Sequence, residues 1–158
     1  LEAYLDREPV ALALISHDYR AKVGDDICLK PLAERLTLKF GERVHHDTTV
    51  CTAAQLKAKA GLMDGVVTGR MHLAIASLGM GVPVAALTYQ DKFQGLMKHV
   101  DLPQDLLLAP EELKHPERLL DVLLKFHQSL PALRSRVQQR LPAVAAASAE
   151  NVAPLING

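Results

Sequence analysis

Short apolar runs without a polar interruption recur along the chain, each followed by a polar loop and then a stretch with helical spacing. This alternation limits the available folds more than any other feature. The first run is VALALIS, residues 10–16. A strand with one solvated face alternates apolar and polar residues, whereas an unbroken run belongs to a strand covered on both faces, as in a parallel sheet. After the loop HDYRAKVG, the segment DDICLKPLAERLTLKF places Ile27, Leu29, Leu32, Leu36 and Leu38 near helical spacing, with Asp25 or Asp26 as its N-cap. ERVHHDTTV reads as a more polar strand nearer an edge. Thr52 caps a helix over AAQLKAKAG, which Gly61 ends. DGVVTG is a buried strand, MHLAIASLGM a helix, VPVAALTY a strand, DKFQGLMKHV a short helix and DLLLA a last strand. PEELKHPERLLDVLLKFHQSL and PALRSRVQQRL are helical, and an alanine-rich tail follows. Strands alternating with helices pair in parallel through right-handed crossovers. The expected fold class is α/β: a doubly wound, mostly parallel sheet of about five strands flanked by helices, in a single Rossmann-like domain spanning residues 1–158.

Composition removes several classes of function. Apolar residues make up 49% and charged residues 23%, which is ordinary globular material. Eighteen basic and eighteen acidic residues cancel, so no net field favours nucleic acid or an anionic membrane. No apolar run reaches the ~18 residues of a transmembrane segment. The chain begins at Leu1 without a signal-peptide pattern, and LEAYLDRE reads as the continuation of a longer protein. Cys28 and Cys51 lie far apart and form no CxxC pair, so a reduced, cytoplasmic protein is expected. His45 and His46 are neighbours, and neighbours point in different directions, so no metal site is expected there. There is no dinucleotide fingerprint after the first strand, no phosphate-binding P-loop and no GxSxG elbow.

Parallel α/β sheets bind ligands outside the carboxyl ends of their strands. Three loops are expected to open on that rim. The first carries His17, Asp18, Tyr19, Arg20, Lys22, Asp25 and Asp26; the second Thr68, Arg70 and His72; the third Tyr89, Asp91 and Lys92. Cations therefore collect beside helix N-termini, an arrangement suited to a small polyanion. Arg70 can grip phosphate or carboxylate through two N–H groups, and Lys92 acts as a point charge. His72, at a helix start, is the best placed group for proton transfer near neutral pH. Each residue has a plain structural alternative. Arg70 could pair with Asp64 or a C-terminal acid, His72 could be a buried histidine satisfying a backbone carbonyl, Lys92 could be a solvated helix-start residue, His17 and Arg20 could be loop polars, and Asp25 and Asp26 could be N-caps.

The stretch GRMHLAIASLGMGVPVAALTYQDKF resembles the carboxy-terminal half of the polysaccharide pyruvyltransferases. That family carries an arginine, one residue, then a histidine at a helix head, a GVPV-like strand and a Y-x-x-K turn. Arg70, His72, Tyr89 and Lys92 occupy those positions, and ISHDYRAKVGDD is similar to the loop after the first strand of that half. The resemblance implies a glycosyltransferase-B-like enzyme that moves pyruvyl from phosphoenolpyruvate onto two hydroxyls of a saccharide or lipid-linked glycan, forming a cyclic ketal. It implies substrate binding by Arg70, Lys92, His17, Arg20, Tyr89 and Asp25, proton transfer by His72 and, more weakly, Asp26, and neither metal nor cofactor. It also implies a second, preceding domain that supplies much of the acceptor site, onto which the alanine-rich tail would pack. Two other readings share the architecture: the nucleotide-sugar domain of a glycosyltransferase, and a non-catalytic anion-binding module.

Overall fold

A computed structural model describes residues 1–88 and 92–150. Among the described residues five strands occur, every ladder is parallel, and helices flank them: an α/β fold. The ladders form a two-stranded sheet, β1–β2, and a three-stranded sheet ordered β3–β4–β5. The strands are short, from two to four residues, so each ladder holds only a few hydrogen bonds. The chain divides into two compact units, residues 1–56 and 57–158, with the division inside one helix.

The first unit contains α1 (Glu2–Arg7), β1 (Leu12–Ile15), α2 (Asp26–Phe40), a single 3-10 turn, β2 (Val44–Asp47) and the start of α3 (Ala53–Gly61). In the β1–β2 register Leu14 faces His46 and Ile15 faces Asp47. Leu5, Leu14, Ala33, Leu36 and Val44 form the core, so α1, both strands and α2 share one apolar cluster. Arg43 ties the turn after α1 to β2: its Nη2 donates to the carbonyls of Leu5 and Glu8 and its Nε to that of Val10. No helix or ladder satisfies these carbonyls; that of Glu8 also accepts the Val10 N–H, and leaving the other two unpaired would be costly. Thr52 caps α3 as the sequence suggests. Its Oγ1 accepts the Gln55 N–H, while the Gln55 side chain accepts the Thr52 N–H, a reciprocal capping box.

The second unit contains the rest of α3, β3 (Val66–Thr68), α4 (Met71–Leu78), β4 (Val84–Leu87), α5 (Lys92–His99), β5 (Leu107–Leu108) and α6 (Pro116–Glu150). β4 is the middle strand, and Val84, Ala85 and Ala86 are all essentially inaccessible, as its unbroken apolar run requires. Its core brings together Ala74 and Leu78 of α4, Phe93 and Met97 of α5, and Phe126, Leu133 and Val137 of α6. The sequence reading separated two helices at Pro131; in the structure α6 runs through both Pro131 and Pro142. An interior proline costs about 3 kcal/mol. Burial of Leu133 and Val137 beyond Pro131 opposes that cost, each contributing about 1.5–3 kcal/mol. Arg134 of α6 is half-buried. Its Nη2 donates to the Met63 carbonyl at 2.7 Å and to the Asp64 carbonyl at 3.2 Å, holding the turn before β3 against α6.

Candidate functional site

Both sheets present polar residues at the carboxyl ends of their strands. In the first unit β1 runs out at Ile15 into Ser16 and the loop that leads to α2. That loop is folded around one carboxylate. Asp25 Oδ2 accepts the backbone N–H of His17 at 3.0 Å and of Asp18 at 2.9 Å. Asp25 therefore clamps the loop, and it makes no side-chain cap to α2 although it occupies the N-cap position. Asp18 in turn holds Arg20: its carboxylate accepts Nε at 2.9 and 3.1 Å and Nη2 at 2.6 Å. The hydrogen bonds from Arg20 to Asp18, then the Asp18 charge, raise the guanidinium pKa above its ordinary value. Arg20 would have to exchange this partner to grip a ligand. Gly24 closes the loop: a Cβ there would lie 2.5 Å from the Asp18 carbonyl oxygen and 2.6 Å from that of Arg20.

Asp26, the first residue of α2, is exposed, and one of its oxygens is held from below. Ser16, only 2% exposed, donates Oγ–H to Asp26 Oδ1 at 2.8 Å. His46 brings Nε2 to 3.1 Å from the same oxygen. That nitrogen is sealed from solvent and lies too far off line to complete a hydrogen bond. Ser16 and His46 were not singled out from the sequence. The signal for His46 was the two-residue period of β2, which sets it on the opposite face from His45; the former is half-buried and the latter exposed.

In the second unit β3 ends at Thr68, which is 6% exposed, and its Oγ1 accepts the Arg70 backbone N–H at 2.9 Å. This turn sets Arg70 at the N-cap position of α4 and His72 in the first turn. Both side chains are exposed, as is Lys92, the first residue of α5. β3 and β4 are adjacent and parallel, with Thr68 in register with Ala86, so the loops carrying Arg70 and Lys92 leave the same edge of one sheet. His72 has no hydrogen-bond or ion-pair partner among the described residues, so the core-histidine alternative does not apply. Asp64 does not pair with Arg70; its backbone carbonyl serves Arg134 instead. Tyr89 and Asp91 lie outside the described residues. The structure thus brings His17, Arg20, Asp25 and Asp26 together on the β1–β2 edge, and Arg70, His72 and Lys92 on the β3–β4 edge.

Among the described residues no group of three or more His, Cys, Asp or Glu could hold a metal ion, and no helix is long and apolar enough to cross a membrane. A family model described as polysaccharide pyruvyl transferase matches residues 2–91, more than half of the chain. The match takes in the first unit from Glu2 onward and runs through α4 and β4. No curated protein and no solved structure matches the chain significantly.

Proposed function

Because the chain belongs to the polysaccharide pyruvyl transferase family, we propose that it binds phosphoenolpyruvate and takes part in transferring its pyruvyl group to two hydroxyls of a saccharide. The observation that carries this reading is the exposed pair Arg70 and His72 at the head of α4, with Lys92 on the same sheet edge. Phosphoenolpyruvate carries a carboxylate and a phosphate on one small frame. A guanidinium suits either group through paired N–H donors, and an ammonium adds charge without directional demand. The α4 N-terminus adds its own partial positive charge to the same edge.

At the central carbon the reaction makes two C–O bonds and breaks two: the C–O bond to phosphate and the π bond to the methylene carbon. One hydroxyl oxygen bonds to that carbon while a proton enters at the methylene carbon, which becomes methyl. The second hydroxyl oxygen then displaces phosphate, and its proton leaves with the phosphate. His72 is the group proposed to deliver the methylene proton, and Asp26 to accept a proton from an attacking hydroxyl. A positioned acid or base typically contributes about 10²–10⁴-fold. His17 and Asp25 shape the acceptor loop, Tyr89 adds to the donor contacts, and Arg20 takes the ligand's charge by exchanging it for Asp18.

Thermal-shift and calorimetric titration with phosphoenolpyruvate, nucleotide sugars and free nucleotides tests this reading. Phosphoenolpyruvate should stabilise the protein and nucleotide sugars should not. The reverse order would make the protein a glycosyl-donor binder.

A further inference from the structure

The loop that leaves β1 and the end of β2 place two groups around one carboxylate oxygen of Asp26. Ser16 Oγ donates to Asp26 Oδ1 at 2.8 Å, and His46 Nε2 stands 3.1 Å from the same atom. The second oxygen of Asp26 has no partner among the described residues, and the side chain is 52% exposed. One side of the carboxylate is therefore anchored in the protein while the other faces outward. A carboxylate that served only to cap α2 would turn inward to the first-turn N–H groups, yet nothing of the kind is formed among the described residues.

His46 supplies the second, independent observation. Its Nε2 is the buried side-chain nitrogen that lacks a hydrogen-bond partner among the described residues. A buried polar atom left unpaired costs about 1–3 kcal/mol, so such an atom calls for a reason. Here the acceptor is already within reach and only the angle is wrong. Catalytic hydrogen bonds are often misaligned before the substrate arrives and tighten once it is bound.

We infer that Ser16 and His46 are positioning residues for Asp26, holding Oδ1 so that Oδ2 accepts the proton of a saccharide hydroxyl; the inference rests on the pyruvyl-transfer reading above. Ser16 fixes the carboxylate rotamer. His46 carries its proton on Nε2 and closes onto Oδ1 when a hydroxyl engages Oδ2. The carboxylate then gains the hydroxyl proton on Oδ2, the hydroxyl oxygen keeps the electron pair of the broken O–H bond for its attack, and the carboxylate returns that proton to water. Without its two partners the carboxylate can swing about its own side-chain torsions, and a misplacement of about 1 Å can cost about 10²-fold.

Two measurements test this together. Long-range imidazole ¹H–¹⁵N spectra of the uniformly labelled protein read which nitrogen of His46 bears the proton. The expected result is Nε2, with a shift that changes in Asp26→Asn while the other histidines stay in place. A proton on Nδ1, or a His46 signal indifferent to Asp26→Asn, overturns the pairing. The second measurement is phosphate release from phosphoenolpyruvate with a panel of methyl hexopyranosides. His46→Leu and Ser16→Ala should each lower kcat about 10–100-fold with KM for phosphoenolpyruvate unchanged. His46→Gln, whose amide can place an N–H near the Nε2 position, should recover most of that loss. Equal kcat in His46→Leu and His46→Gln, with both melting as wild type, overturns the role of His46. A wild-type protein that releases no phosphate, while Nε2 still answers to Asp26→Asn, refutes the pyruvyl-transfer reading and leaves the pairing standing.

Discussion

Asp25 holds His17 through the main chain: its Oδ2 accepts the His17 N–H at 3.0 Å and, from the next residue, the Asp18 N–H at 2.9 Å. A single oxygen thereby sets the path of the backbone directly after β1. Hydrogen bonds to a charged acceptor contribute about 1.5–3 kcal/mol, and removing the acceptor leaves two part-buried donors unpaired. Asp25→Ala should therefore lower unfolding free energy by about 1–3 kcal/mol in urea titrations. Amide exchange at His17 and Asp18 should accelerate, with little change in α6. Unaltered exchange at those two amides would show that the loop holds its shape without Asp25.

Gly24 is required for a related reason, and here the conflict is with backbone. An added Cβ would meet the Asp18 and Arg20 carbonyl oxygens at 2.5 and 2.6 Å and the Arg20 nitrogen at 3.0 Å. The same turn carries Gly24 N–H to the Arg20 carbonyl at 2.7 Å and Asp25 N–H to the Asp18 carbonyl at 2.9 Å. Flexible side chains could yield; these atoms cannot move without opening the turn. Gly24→Ala should cost about 1–3 kcal/mol, as overpacking does elsewhere. Its chemical-shift changes should concentrate between Ser16 and Asp26. A variant as stable as wild type would mean that the turn has room that the 2.5 Å approach denies.

The sequence made these elements readable to different depths, for physical reasons. β4 was legible because burial on both faces leaves an unbroken apolar run, and the structure buries Val84, Ala85 and Ala86 completely. The Thr52 cap was legible because capping is a local contact, three residues long. Asp25 takes the N-cap position that the sequence suggests, but its carboxylate serves amides seven and eight residues back, and no local pattern reports a loop that folds onto its own end. His46 was set aside because its value depends on register. Only the pairing of β2 with β1, Leu14 opposite His46, brings it near Asp26, twenty positions earlier in the chain. Pro131 seemed to end a helix by the local rule, but tertiary burial on its far side overrode that preference. On the β3–β4 edge, Arg70 and His72 were found through the strand–turn–helix pattern, which is local and which the structure reproduces at Thr68 and α4.

Arg70 and His72 should separate binding from turnover. Arg70→Ala removes a charge suited to holding donor phosphate or carboxylate, so calorimetry should show phosphoenolpyruvate affinity falling at least tenfold, which is about 1.4 kcal/mol. His72 is exposed and has no hydrogen-bond partner among the described residues, so His72→Gln should melt as wild type does. If His72 delivers the methylene proton, that variant should bind phosphoenolpyruvate normally and lose about 10²–10⁴-fold in kcat. Equal donor affinity in Arg70→Ala and wild type would remove Arg70 from the donor site. A His72→Gln protein with full turnover would leave proton delivery to another group.

Acid should loosen the start of α6 through Glu112. Its Oε2 accepts the Ala109 N–H at 2.8 Å and its Oε1 accepts Arg118 Nε at 3.0 Å, joining the turn before α6 to the helix's own first turn. The hydrogen bond from Ala109, and next the one from Arg118, lower the Glu112 pKa below its ordinary value. Both bonds favour the ionised carboxylate, so it binds a proton less readily in the folded chain than in the unfolded one. The resulting stability is fully present above the ordinary carboxylate pKa, and it is lost as pH falls through the lowered value. Glu112→Gln should therefore be less stable than wild type at neutral pH, and the gap should shrink on acidification until the two proteins unfold alike. Arg118→Met should remove the smaller part of the effect, because the backbone donor at Ala109 remains in place. Urea unfolding of the three proteins across the acid range checks this. A gap that is constant with pH would show that Glu112 acts by packing and not through its charge.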